Sequence, residues 1–227
     1  MAERILKFIE DQTMEYRTKE AFNSLYTNLQ FCGDDVKVVM LTSCGENEGK
    51  STIARRFAEI IAENGERVLL IDADMRKSVM LGQFETSNDT KIYGLSHFLS
   101  GQVNVDEIVY HTAIPYFDII VSGPIPPNPA VLLAGEKLSN FIMAAREIYD
   151  YVIIDSTPLG MVIDSAVLAP LTDGAIMVVE AANVSRTLAM DVKKQLEVTG
   201  CKILGTILNK VPLSKGSYYY KKYYGKE

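Results

Sequence analysis

Residues 43–52 read SCGENEGKST and stand between an apolar run and a helical pattern. In a loop of this kind, backbone N–H groups at the start of a helix point at phosphate oxygens, a lysine neutralises the phosphate charge and the next hydroxyl binds Mg²⁺. Lys50 and Ser51 occupy those two places. The usual pattern has glycine where Cys44 stands, so we expect Asn47, which tolerates left-handed backbone, to supply the turn. The segment therefore predicts a phosphate-binding loop.

Carboxylates follow two further apolar runs. Asp72 and Asp74 end the segment LLIDAD, and Asp155 ends the segment YVIID. Because the carboxyl ends of parallel strands meet at one edge of a sheet, we expect these three acids to face the phosphate loop. Alternate positions of an extended segment place Asp72 and Asp74 on one side, with Arg76 next in that series. Hard oxygen ligands of this kind suit Mg²⁺.

The composition of the 227 residues indicates one compact domain in a reducing cytoplasm. Hydrophobic residues make up 48% and charged residues 23%, which is enough for a substantial core. The apolar runs are too short for a membrane helix, and the charged start MAERILKFIEDQ does not fit a signal peptide. Cys32, Cys44 and Cys201 show no paired metal spacing, so we expect no zinc. The formal net charge of −6 argues against a nucleic-acid partner.

Six apolar runs predict the strands of a sheet: VKVVMLTS, RVLLID, FDIIVSG, YVIID, GAIMVVE and ILGTILNK. Helical patterns lie between them, such as the one that places Ile53 and Phe57 on one face and ends at Gly65. This alternation predicts an α/β fold of the P-loop NTPase type, with a doubly wound, mostly parallel sheet and helices on both faces. The predicted domain covers residues 1–213. It includes a leading helix at about 13–31, predicted to be an oligomerisation helix, that either packs on the sheet or contacts a neighbour.

The remaining residues, 214–227, read SKGSYYYKKYYGKE and predict a flexible tail. Four lysines and one glutamate make this tail basic on a chain that is acidic as a whole. We therefore expect it to be attracted to an acidic site. Its five phenols belong to Tyr218, Tyr219, Tyr220, Tyr223 and Tyr224.

In their order along the chain, GENEGKST, LLIDADMR, GPIPPNPAVLL and VIIDSTP, followed by the tyrosine tail, resemble the motifs of the BY-kinases. These are the bacterial tyrosine kinases of capsule and exopolysaccharide gene clusters, and the resemblance covers nearly the whole chain. It implies an ATP-dependent protein-tyrosine kinase that phosphorylates its own tail tyrosines, between subunits. The implied purpose is to regulate the synthesis and export of a capsular or extracellular polysaccharide.

The resemblance also implies a role for each site residue. Asp72 would be the base toward the incoming tyrosine, with Lys50, Asp74 and Arg76 as the other catalytic residues. The implied Mg²⁺ ligands are Ser51, Asp74 and Asp155. The implied ATP contacts are Gly45, Glu46, Asn47, Glu48, Gly49, Lys50, Ser51 and Thr52, together with Asn209, which would read the adenine edge. The implied phosphoacceptors are the five tail tyrosines, Tyr218, Tyr219, Tyr220, Tyr223 and Tyr224.

The same resemblance implies three partners and no nucleic acid. One is a transmembrane adaptor of the polysaccharide co-polymerase type, which would activate the kinase and recruit it from the cytoplasm to the inner face of the membrane. Another is a further copy of this chain, in a homo-oligomer. The third is a protein-tyrosine phosphatase.

The chain departs from the family pattern at two places. Where the leading helix of the family carries Glu-x-x-Arg-x-x-Arg, this chain has Glu20, Asn23 and Tyr26, so we expect weaker assembly. Ser78 stands in a loop where the family commonly has proline. Two other functions stay open: an ATPase of the partition or septum-site type, whose signature lysine is replaced here by Gly45, and an inactive ATP-binding scaffold.

Overall fold

A computed structural model describes residues 5–9, 14–85 and 91–212 of the chain. The tyrosine tail at 214–227 lies outside these residues. The strands are β1 (Ile5–Phe8), β2 (Val38–Ser43), β3 (Val68–Asp72), β4 (Phe84–Glu85), β5 (Tyr110–Thr112), β6 (Phe117–Ile120), β7 (Tyr151–Asp155), β8 (Gly174–Glu180) and β9 (Ile203–Asn209). The α-helices are α1 (Tyr16–Gln30), α2 (Lys50–Glu63), α3 (Leu95–Leu99), α4 (Pro129–Leu133), α5 (Glu136–Ile148), α6 (Asp164–Leu168) and α7 (Arg186–Val198).

The described strands form one sheet in the order β4-β1-β5-β6-β3-β7-β2-β8-β9. From β6 to β9 every neighbouring pair is parallel. At the other edge, β5 is antiparallel to β6 and β4 is antiparallel to β1. The prediction of a mostly parallel, doubly wound sheet is confirmed.

The central strands are buried because both faces of the sheet are covered. Every residue of β2 and β3 is buried, as is all of β7 after Tyr151. Alternate residues of each strand enter two separate clusters: Met40 and Leu69 belong to one face, and Val39 and Leu70 belong to the other. Continuous apolar runs are the pattern that such doubly covered strands require.

The leading helix α1 packs against the body of the domain. Tyr26 and Leu29 are buried, and the ring of Tyr26 meets that of Tyr151 edge-on with centroids 6.2 Å apart. Phe22 and Leu25 are partly buried against the same cluster. Helix α1 therefore packs on the body of the domain, and its role in oligomerisation stays a prediction. Tyr26, at the place of a family arginine, is a core residue here.

Within the described ranges, no helix has the length and apolar character needed to cross a membrane.

Candidate active site

The phosphate loop joins the end of β2 to the start of α2. Asn47 has a φ of 60° and Gly49 a φ of 88°, so both adopt the left-handed backbone. This confirms the prediction that Asn47 supplies a turn in place of the missing glycine. Gly49 is also required for space, because a Cβ there would lie 2.2 Å from Nδ2 of Asn209. The loop therefore leads directly into the N-terminus of α2, where backbone N–H groups can bind phosphate.

Glu48 stabilises the loop from inside. The residue is 3% exposed, and its carboxylate accepts hydrogen bonds from the backbone N–H groups of Gly45 and, at 3.2 Å, of Glu180. Burial raises the pKa of Glu48. The side chain of Glu48 thus bonds within the protein. The ATP contact that the resemblance implies for this residue would therefore be made by its backbone.

Asn209, at the end of β9, holds the same loop. Its Nδ2 donates to the backbone oxygen of Glu48 at 2.8 Å, and Lys210 Nζ donates to the backbone oxygen of Asn47 at 2.6 Å. The structure therefore places Asn209 against the phosphate loop, where it fixes the loop backbone. Its role in reading adenine stays a prediction.

Lys50 and Asp155 form a buried ion pair. Lys50 Nζ lies 2.5 Å from Asp155 Oδ1, and the two side chains are 7% and 1% exposed. Lys50 Nζ also lies 3.3 Å from the hydroxyl of Ser51. The cation that would meet phosphate oxygens thus lies at the carboxylate predicted to bind metal. Removing either partner would leave an uncompensated charge in the interior, which typically costs about 3–5 kcal/mol.

Asp72 is completely buried beside Asp155, its partner in the register of β3 and β7. Its carboxylate accepts from the hydroxyl of Ser78, from Asp74 N at 3.2 Å and from Ser122 N at 3.3 Å. Burial and the neighbouring charge of Asp155 raise the pKa of Asp72 to about 7, although Ser78 and Lys50 act in the opposite direction. A carboxyl group with a pKa near neutrality is suited to proton transfer.

Ser78 has a physical explanation that the sequence did not supply. Its hydroxyl donates to Asp72 and accepts from Met80 N at 3.1 Å. The serine that departs from the family pattern therefore contacts the predicted base. It stabilises the ionised form of that base, since a donated hydrogen bond favours a charged carboxylate.

The alternating pattern of Asp72, Asp74 and Arg76 predicts an extended segment, but the chain turns after Asp74. Oδ1 of Asp74 accepts from Arg76 N at 3.1 Å and from Lys77 N at 2.9 Å, which turns the chain at once. Aspartate commonly bonds to backbone N–H groups two or three residues ahead in this way. The two residues still lie close together, because Asp74 N donates to Asp72 Oδ1 at 3.2 Å, and the charge of Asp74 adds to the raised pKa of Asp72.

Arg76 is held by Asp164, an acid that the sequence motifs did not predict. Its guanidinium donates to both oxygens of Asp164, at 2.7 and 2.9 Å. Asp164 is fully buried at the start of α6, and it lies 88 residues away in sequence, so no local spacing signals the contact. This bidentate pair positions Arg76 at the edge of the site. Whether Arg76 takes part in catalysis stays a prediction.

Most of the predicted residues line one cleft of about 380 Å³, whereas Asp72, Asp155 and Asn209 are not among its lining residues. Its lining comprises Ser43 and the phosphate loop from Gly45 to Thr52, together with Asp74, Arg76, Lys77, Val79, Thr157, Pro158, Met161, Val162 and Lys210. The volume falls within the usual range of small-molecule sites.

The donor set suits Mg²⁺ bound together with a nucleotide. Ser51, Asp74 and Asp155 offer a hydroxyl and carboxylates, the hard oxygen ligands that Mg²⁺ prefers. In the described part of the chain, no group of three acidic, histidine or cysteine side chains could hold a metal alone.

Comparisons with known proteins agree with this geometry. Residues 37–197 match the AAA domain family, so the fold and the loop define a nucleotide-binding P-loop protein. The tyrosine-protein kinase CpsD of Streptococcus agalactiae serotype Ia is 42% identical over 202 residues, which cover 89% of this chain and 86% of that protein. The tyrosine-protein kinase YwqD of Bacillus subtilis is 36% identical over 208 residues, covering 91% and 86%.

Solved structures give the same result. The kinase domain of the Escherichia coli tyrosine kinase ETK has a TM-score of 0.80 at 30% identity, covering 88% of this chain and 79% of that one. The chimerical protein CapA2B2 has a TM-score of 0.82 at 32% identity, covering 89% and 88%. The chain belongs to the bacterial tyrosine kinases, the BY-kinases, and is a protein-tyrosine kinase. The septum-site protein MinD of Pyrococcus horikoshii, with a TM-score of 0.65 at 23% identity, shares the fold alone.

Proposed function

We propose that the chain transfers the γ-phosphoryl group of ATP to the tyrosines of the tail at 214–227, between two copies. The observation that carries this proposal is the position of Asp72. It is buried beside Asp155 and is influenced by the charges of Lys50 and Asp74, and burial together with Asp155 raises its pKa to about 7. Such a carboxyl can accept a phenol proton close to neutral pH.

In the proposed reaction, the phenol oxygen of the incoming tyrosine bonds to the γ-phosphorus while the bond from that phosphorus to the β-bridging oxygen breaks. Asp72 takes the phenol proton, and ADP leaves with the electron pair of the broken bond. Lys50 and the backbone of the phosphate loop stabilise the charge on the phosphate oxygens. The protein mainly positions the reactants and stabilises charge, as is general for phosphoryl transfer.

Mg²⁺ would be held by Ser51, Asp74 and Asp155. When bound, it would supply positive charge that neutralises the phosphate oxygens. Arg76, fixed by its two bonds to Asp164, lines the same cleft and adds a further cation at its edge.

Two features of the structure must change before transfer. Lys50 has to leave Asp155, which it contacts at 2.5 Å, and Asp72 has to become accessible to a phenol. A partner that stabilises the opened arrangement would act as an activator. We propose that this partner is a transmembrane adaptor, which also brings the chain to the inner face of the membrane.

The proposed output is control of capsular or extracellular polysaccharide synthesis. Each phosphate adds about −1.5 to −2 charges near neutral pH, so successive transfers would turn the basic tail acidic. An acidic tail would be repelled by a site rich in carboxylates. A protein-tyrosine phosphatase would restore the starting state.

Intact-mass analysis after incubation with ATP and Mg²⁺ tests this function. We expect stepwise addition of phosphate, with peptide mapping that places it on the tail tyrosines. A control chain with Phe at all five positions, Tyr218, Tyr219, Tyr220, Tyr223 and Tyr224, should stay unmodified. Equal modification of both chains, or none in either even with the adaptor's cytoplasmic segment added, would contradict the proposal.

A further inference from the structure

A second cleft of about 410 Å³ lies between α3 and residues 124–128, PIPPN, which we call the proline segment. Ile125 and Val131 line it and are 71% and 69% exposed, so they stand at its rim. Ser96 also lines it and is 4% exposed, so it stands in the interior. An apolar cleft with few polar groups inside is the usual form of a specific binding site.

The hydroxyl of Ser96 lacks a hydrogen-bond partner among the described residues. Buried hydroxyl groups are nearly always paired, because an unpaired one has lost its bonds to water without replacement. A ligand with a polar tip could supply the missing partner. The cleft therefore favours an apolar group that ends in a donor or acceptor.

Two hydrogen bonds link the cleft to Asp72 through Ser122. The backbone N–H of Ser96 donates to Ser122 O at 2.9 Å, and the backbone N–H of Ser122 donates to Asp72 Oδ2 at 3.3 Å. The proline segment begins only two residues after Ser122, a stretch of at most about 7 Å. A peptide bound at the cleft is thus close to the base of the proposed reaction.

We propose that this cleft binds a second tyrosine side chain of a neighbouring copy's tail while another tyrosine of that tail lies at Asp72. The proposal rests on the proposed function and adds a docking subsite to it. The aromatic ring would lie against the prolines and Val131, and the phenol hydroxyl would pair with Ser96. Tyrosine combines an apolar body with a polar tip, which is what this cleft can accept.

The tail has the length and spacing that such a subsite requires. It continues from Pro212, the last described residue, and carries five tyrosines between positions 218 and 224. Tyr220 and Tyr223 are three residues apart, and an extended chain spans about 10 Å over that interval. One tail can therefore place phenols at both positions. The bound second tyrosine would retain the tail while successive acceptors are modified.

Fluorescence anisotropy of a labelled peptide of residues 213–227 tests the subsite. The protein is the full chain with Ala at its own five tail tyrosines, so that its tail does not compete. A second peptide keeps only Tyr220, with Ala at the other four positions. We expect the five-tyrosine peptide to bind roughly tenfold more tightly than the single-tyrosine peptide.

Val131→Glu should remove this difference while leaving the single-tyrosine peptide unaffected. Val198→Glu is the matched control, because Val198 is 88% exposed at the end of α7 and does not line the cleft. Ser96→Ala should weaken only the five-tyrosine peptide. Equal affinity of the two peptides, an unchanged ratio in Val131→Glu, or no binding by either peptide would overturn the proposal.

The binding measurement needs no phosphoryl transfer, so it separates the two proposals. A chain that prefers the five-tyrosine peptide through Val131 but never phosphorylates it would support the subsite and contradict the proposed function. Loss of both peptides in Val131→Glu would also overturn the subsite, since the substitution would then act at the acceptor position itself.

Discussion

Asp72 shows how burial sets the chemistry of a single residue. Its carboxyl group is inaccessible to solvent and lies beside two other acids, so the folded protein favours its protonated form. The folded pKa of about 7 lies above the ordinary value of 3.8. The folded state therefore binds a proton that the unfolded chain has already released between these values. The contribution of Asp72 to the free energy of unfolding is therefore fully present below about pH 4 and is lost as pH rises toward 7.

We expect the stability of Asp72→Asn, relative to the unsubstituted metal-free protein, to be greater at about pH 8 than at about pH 5. The asparagine has no charge to bury, so the relative free energy of unfolding should rise by roughly 2–3 kcal/mol between the two pH values, on top of a pH-independent cost for the lost hydrogen-bond acceptor. Urea unfolding in the presence of EDTA measures it. Asp106→Asn is the control, because Asp106 is exposed and should show no such dependence. A relative stability of Asp72→Asn that is the same at both pH values would contradict the assignment.

Sequence motifs predicted which polar residues gather at the site but not how they contact one another. Lys50, Asp72 and Asp155 were predictable, because each follows an apolar strand and such strand ends share one sheet edge. The contacts of Ser78 and Asp164 were not, because each depends on how loops fold back over the sheet. The family motif alone also gives no sign that the Glu48 side chain serves the loop.

At the scale of elements, six predicted strands are confirmed and three were missed. β1, β4 and β5 have four, two and three residues, too few to display an apolar period. They form the sheet edge where antiparallel pairs occur, and their pairing connects distant parts of the chain. The parallel core was predictable because burial on both faces demands long apolar runs.

Helix α1 supplies a prediction at this scale. Leu29→Ala should lower the free energy of unfolding by about 2–4 kcal/mol, because it leaves a cavity under a residue that is 3% exposed. Phe31→Ala, at a residue 83% exposed, should change it by less than about 0.5 kcal/mol. Urea unfolding compares the two. If Leu29→Ala altered only the assembly state and not the unfolding of the chain, the packed position of α1 would be wrong.

For the whole molecule, the sheet order bears on which copy supplies the tail. Four strand spacings, about 19 Å, separate β3 from β9. Six extended residues from Pro212 to Tyr218 span at most about 22 Å, without any allowance for a path around the surface. These lengths leave the first tail tyrosines within reach of Asp72 in their own copy as well as in a neighbouring one, so the route is distinguished by experiment.

A mixing experiment tests this route. Asp72→Asn provides an inactive chain with all its tyrosines, and it avoids the unpaired Asp155 that Lys50→Met would leave. The active partner carries phenylalanine at the five tail positions. We expect phosphate on the Asp72→Asn chain, at a rate that rises with protein concentration, and none on either chain alone. An unlabelled mixture, while the unmodified protein labels itself at high dilution, would mean transfer within one chain.

The contact between Lys50 and Asp155 has a consequence for nucleotide affinity. A conformation in which the lysine is unavailable binds phosphates poorly, so the apparent dissociation constant is the intrinsic one divided by the fraction of molecules in the open form. This factor is the same for ATP and ADP, because both need the same lysine. A protein that binds only the open form would raise the affinity of the kinase for both nucleotides by the same factor, without contacting either. By thermodynamic reciprocity, either nucleotide would raise the affinity of that protein for the kinase by this factor.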